Sequence, residues 1–133
     1  MPRQSFDSAW RFHLCDSRNL NEWPQALAPH FDDTAWRLLD LPHDWSIEQP
    51  RSPDHPSGSA GGFFVGGTGW YRKTFEAPAD WAGKRVRLEF EGAYQNAELW
   101  LNGRFLDEHP YGYTSFIVDL TPLLKSGARN TLV

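Results

Sequence analysis

Cysteine is nearly absent: Cys15 is the single one in 133 residues. That excludes an internal disulfide and argues against a Cys-rich metal site, leaving Cys15 to pack as a small apolar side chain. The five histidines, His13, His30, His43, His55 and His109, show no spacing of a transition-metal ligand set. No run of about 18 apolar residues occurs, so no membrane span is expected. The first residues, Met1-Pro2-Arg3-Gln4, lack the apolar core of a signal peptide, and the compartment is left open. Basic residues are outnumbered, 13 Lys and Arg against 17 Asp and Glu, with a net charge of −4, and they are scattered. Nothing in that balance marks a nucleic-acid or anionic-membrane partner. Helical signals are scarce. Asp32-Asp33-Thr34-Ala35-Trp36 reads as one capped turn and Thr121 to Lys125 as another, with Pro122 in its first turn and Gly127 past its end.

Aromatic residues, by contrast, are plentiful at 15%, with seven Trp. Such rings build a sandwich core or offer flat faces to sugars. Val86, Leu88 and Phe90 alternate with Arg87, Glu89 and Glu91, the pattern of a strand with one wet face. Ala97, Leu99 and Leu101 repeat the pattern up to Asn102-Gly103, a hairpin signal because both residues tolerate positive φ. Arg104 to His109 is the returning strand, and further strands are expected at Phe6 to Leu14, Trp36 to Leu41, Trp70 to Glu76 and Thr114 to Leu120. Many short strands with little helix predict one all-β domain, residues 1–133, of sandwich type. The stretch 49–69 differs: prolines and glycines surround Phe63-Phe64-Val65, and a connection that long without secondary structure of its own is usually functional or disordered.

Three segments carry a family likeness. LPHDWSIE (Leu41 to Glu48) leads through the 49–69 loop into GGFFVGGTGWYRKTF, followed by FEGAYQNAELWLNG (Phe90 to Gly103) and HPYGYTSFIVDLT (His109 to Thr121). Together they resemble the N-terminal sugar-binding domain of family 2 glycoside hydrolases, most of all that of bacterial β-galactosidases. The resemblance implies a jelly-roll β-sandwich of the galactose-binding-like kind. Asn130-Thr131-Leu132-Val133 resembles the start of a family strand, so the sandwich is expected to be truncated at its C-terminal strands. It also implies a parent that is a retaining exo-β-glycosidase and a homo-oligomer, with Ig-like and barrel domains as this domain's partners and a terminal β-glycoside as substrate. The two catalytic glutamates of that family lie in the barrel, so no catalytic residue is assigned here.

Glycoside hydrolysis needs two carboxylates roughly 5–10 Å apart. Asp44, Glu48, Asp54, Asp107, Glu108 and Asp119 are candidates; Glu89, Glu91 and Glu98 read as charges on solvated strand faces, and no pair stands out. Asp119 leads into a turn, where a carboxylate caps backbone N–H groups. Substrate-binding candidates are Asp44 and Trp45, as hydroxyl acceptor and stacking ring, with Asp54, His55 and Ser57 as polar tips of the loop that, by family likeness, reaches the barrel's active site. The bland reading, in which Asp44 bonds loop backbone and Trp45 fills the sandwich end, is preferred for that pair. Tyr111 is expected to cover a core edge, Gly112 to allow a close backbone approach, and Arg72 to anchor the loop or pair with a carboxylate at the domain border. No cofactor is called for; calcium on loop carbonyls and Asp stays open. Two other roles compete: a free-standing carbohydrate-binding module or lectin, and a structural docking domain with an apolar patch around Phe63 and Phe64.

Overall fold

A computed structural model describes residues 2–15, 24–62, 64 and 66–133. Phe63, on which the expected apolar patch around Phe63 and Phe64 partly rests, lies outside the described residues. The chain divides into two compact units, one of residues 1–23 and 33–71 and the other of 24–32 and 72–133.

In the first unit, β1 (Trp10–Cys15) pairs antiparallel with β2 (Arg37–Leu39), placing Trp10 opposite Leu39 and Phe12 opposite Arg37. Trp10, Phe12, Cys15 and Trp36 are buried. Cys15 is therefore the small apolar packer the composition implied. β1 begins at Trp10 rather than at Phe6 because Ala9, at φ 59°, breaks the extended run, and the Asp40 carboxylate takes the Ala9 N–H at 2.8 Å. The expected helical turn before Trp36 is one hydrogen-bonded turn, with Trp36 N–H donating to Asp33 O at 2.9 Å.

β3 (Thr68–Glu76) starts in this unit and ends in the other. In the second unit its C-terminal half pairs with β8 (Arg129–Leu132), β8 with β5 (Ala97–Leu101), and β5 with β6 (Arg104–His109). A separate antiparallel pair joins β4 (Arg87–Phe90) to β7 (Phe116–Asp119). The buried apolar side chains come from both sheets: Leu99 and Leu101 of β5, Leu132 of β8 and Val118 of β7. Asn102 (φ 54°) and Gly103 (φ 78°) turn β5 into β6, as their sequence signalled. Asn102 also fastens the hairpin: its amide donates to Leu123 O at 3.0 Å and Asn130 Oδ1 at 2.8 Å, and its carbonyl accepts Thr131 N–H at 3.0 Å. Asp119 caps the turn after β7 by accepting Thr121 N–H at 3.0 Å.

Arg72 is 1% exposed, and its Nη2 donates to the carbonyls of Ala28, Pro29 and Phe31 at 2.9, 3.1 and 3.3 Å. Its guanidinium also lies 5.7 Å from the Phe31 ring centroid. The loop these bonds anchor is 28–31, which the sequence reading did not single out. Tyr111 departs from expectation too, standing 58% exposed. The ring stack there is His109 on Phe116 (4.0 Å) and Phe116 on Phe90 (4.7 Å), with no place in it for Tyr111. Among the described residues there is no α-helix, only short 3-10 turns at Pro24–Leu27, Trp45–Glu48, Ser59–Gly61 and Ala79–Trp81.

Candidate functional site

The turn Trp45–Glu48 forms because Asp44 is extended (φ −128°, ψ 99°) and its carboxylate accepts both Ser46 N–H at 3.0 Å and Ser46 Oγ–H at 2.6 Å. That turn brings His43 and Glu48 to one side. The His43 side chain, 8% exposed, has Nδ1 2.8 Å from the Tyr71 hydroxyl and Nε2 3.0 Å from Glu48 Oε1. All three groups are satisfied when Nε2–H donates to Glu48 and Nδ1 accepts the Tyr71 O–H. Glu48 is also gripped by Arg37, through Nη1 at 2.7 Å and Nη2 at 2.8 Å.

Charge follows geometry. The Arg37 hydrogen bonds, with help from His43, hold Glu48 down to about 2. Burial, with the Asp44 and Glu48 charges nearby, pushes Tyr71 up to about 12. Phe12 closes the cluster, its ring 4.7 Å from His43 and 5.0 Å from Tyr71. The arrangement ties β2, the turn and β3 together.

Trp45 is half-buried over the start of β3. A Cβ on Gly69 would stand 2.6 Å from Trp45 Nε1, so the indole can lie there only against glycine. In the loop, Asp54 is exposed and its N–H donates to Ser52 Oγ at 3.2 Å. His55 Nε2 donates to Pro50 O at 3.1 Å and Ser57 Oγ donates to Phe64 O, which commits both to the loop's own backbone. Arg51 lies over the Phe64 ring at 5.2 Å. The five candidates thus form two groups, Asp44 with Trp45 and Asp54 with His55 and Ser57. Among the described residues no hydrogen bond joins the two groups. Of the five, Asp44 and Asp54 are the exposed ones.

Among the described residues no three of His, Cys, Asp and Glu converge to hold a metal ion. Sequence reasoning did not find the His43–Glu48–Arg37 linkage. Its signal was the five-residue spacing of His43 and Glu48 across a capped turn, but the Arg37 partner comes from another strand.

Residues 4–133 match the family described as glycosyl hydrolases family 2, sugar binding domain. The chain belongs to that family. A β-galactosidase of Bacteroides ovatus, BoGH2A, is 51% identical over 130 residues, which cover 98% of this chain and 15% of that protein. A β-glucuronidase of Formosa agariphila is 33% identical over 131 residues, covering 96% of this chain and 12% of its own length. The solved structure of a family 2 glycosyl hydrolase from Bacteroides cellulosilyticus superposes with a TM-score of 0.83 at 44% identity, over 97% of this chain and 17% of that one. The all-β sandwich fold is thereby shown. This sugar-binding domain spans about 15% of the length of that first relative.

Proposed function

We propose that the chain is the non-catalytic sugar-binding and scaffold domain of a family 2 glycosidase that removes terminal β-galactosides with retention. Its role there is to form one wall of the substrate cleft. The observation that carries this reading is the family match along residues 4–133, set beside the small share, 15%, of a 51% identical β-galactosidase that the chain spans. The geometry agrees: in the first unit Arg37, Glu48 and His43 are spent on one another. Glu98 and Glu108, paired across β5 and β6, are exposed on a hairpin with no enclosing wall to exclude water.

The 49–66 loop is proposed as the element that reaches toward the substrate. Asp54 offers the available acceptor at its tip, while His55 and Ser57 hold the loop's shape. Asp44 and Trp45 support it from the preceding turn. The partner is the parent's own barrel domain, which supplies the two catalytic carboxylates.

The test is hydrolysis of p-nitrophenyl β-D-galactopyranoside and p-nitrophenyl β-D-glucuronide by the 133-residue chain. No nitrophenol release above the buffer rate is expected. Turnover that scales with chain concentration would overturn the non-catalytic reading.

A further inference from the structure

We propose that the open end of the β5–β6 hairpin is a surface site for a neutral β-pyranoside, with Tyr94, Tyr111 and Tyr113 as its stacking wall and Asn96, Glu98 and Glu108 as its hydroxyl partners. This rests on the sugar-binding reading above and gives it an address outside the 49–69 loop.

Three tyrosines stand together in solvent: Tyr94 is 71% exposed, Tyr111 58% and Tyr113 76%. Tyr94 and Tyr113 meet edge to face at 5.4 Å, and Tyr111 lies tilted 5.7 Å from Tyr113. The rings therefore make a corner rather than a flat sheet, giving one ring face for the C–H side of a pyranose and an edge beside it. Isolated exposed aromatics need no explanation; a mutually oriented group does.

The backbone is shaped to hold them. A Cβ on Gly112 would stand 2.4 Å from Tyr94 Cδ2, so this ring lies directly on the peptide of the other tyrosine segment. Asn96 adopts φ 54°, and its N–H donates to Pro110 O at 3.2 Å, tying together the two segments that carry the rings.

Where the two ring-bearing segments are tied together lies a shallow open cleft of about 100 Å³ lined by Asn96, Ala97, Glu98, Glu108, His109 and Pro110. Its volume suits the edge of one sugar, not an enclosed ligand. His109 is fixed there by its stack on Phe116 and by Thr114 Oγ1 at 3.3 Å from Nε2. Glu98 and Glu108 are direct cross-strand partners, an arrangement in which like charges repel. Among the described residues neither makes an ion pair with a basic side chain, and no third ligand joins them to hold a metal. Glu98 Oε2 takes the Trp100 indole N–H at 3.4 Å, and its other oxygen with the Glu108 carboxylate is left to accept hydroxyl protons from a vicinal diol, while their charge rejects an anionic sugar. The ligand class that follows is a neutral pyranoside, discriminated from a uronate by charge.

Saturation-transfer NMR on the 133-residue chain, with methyl β-D-galactopyranoside and methyl β-D-glucuronide as probes, tests this. Transfer to the galactoside at millimolar concentration is expected, with a weaker response to the glucuronide. Tyr113→Ala, a change at a side chain 76% exposed, should weaken galactoside binding by about tenfold while leaving the melt unchanged. Glu108→Gln should narrow the gap between galactoside and glucuronide, a readout that loss of folding cannot mimic. A galactoside response that both variants leave intact overturns this site but spares the sugar-binding reading. No response from the folded chain also overturns the site. Hydrolysis in the nitrophenyl assay, by contrast, speaks only against the non-catalytic reading.

Discussion

Replacing Arg72 should be the costliest single change in the second unit. The side chain is 1% exposed, and Nη2 serves three carbonyls, of Ala28, Pro29 and Phe31, at 2.9 to 3.3 Å. Hydrogen bonds to a charged group contribute about 1.5–3 kcal/mol each, and three acceptors sharing one nitrogen count as about two such bonds. Arg72→Ala is therefore expected to cost roughly 3–5 kcal/mol, including the unpaired carbonyls it leaves behind. Against a typical stability of about 5–15 kcal/mol this is roughly a fifth or more of the total. It corresponds to a Tm lowered by roughly 12–20 °C for a chain of this size. Urea unfolding followed by tryptophan emission measures it, provided the m-values agree. Arg72→Lys should recover about half the loss, since an ammonium keeps the charge but not the fork or the plane set over Phe31. Arg72→Met decides the reasoning: it keeps the stem and removes charge and donors. If the Arg72→Met variant has a stability within about 0.5 kcal/mol of wild type, desolvation of the guanidinium cancels its bonds and the argument fails.

Gly69→Ala is expected to cost about 1–3 kcal/mol by displacing Trp45, whose Nε1 would lie 2.6 Å from the new Cβ. A red-shifted tryptophan emission should accompany the loss, and unchanged emission with unchanged Tm would place the indole elsewhere. Asn102→Ala removes three hydrogen bonds at a φ of 54°, for a loss of about 2–4 kcal/mol. Asn102→Gly should be less harmful than Ala, because it relieves the backbone strain while losing the same bonds; equal melts would discount that strain. Glu48 titrates at about 2 in the fold against an ordinary 4.5, so its contribution is present above about pH 4.5 and is lost as pH falls toward 2. Glu48→Gln should flatten stability against pH across that window, and an acid limb identical to wild type would contradict the Arg37 and His43 bonds.

Legibility in the sequence followed the range of the interaction. The β5–β6 hairpin was readable because Asn102-Gly103 and the flanking alternation are local, and β6 runs from Arg104 to His109 as expected. Gly112 was recognisable as a close-approach glycine, although its neighbour, Tyr94, was not. The Asp44 cap lies within two residues of its partner Ser46, and the structural reading of that carboxylate had a local basis. Arg72 was singled out from its motif, but the carbonyls it serves lie more than forty positions away in the chain.

Sequence alone therefore determined the strand-rich class, the hairpin, the caps and, through three motifs in order, the family. These depend on backbone propensity and on spacing along the chain, which a linear string records. Only the tertiary structure decided that His43 reaches both Glu48 and Tyr71, that Tyr111 faces solvent, and that Tyr94 meets Tyr113. Those outcomes depend on strand pairing, which brings together residues whose distance in sequence carries no information about their distance in space.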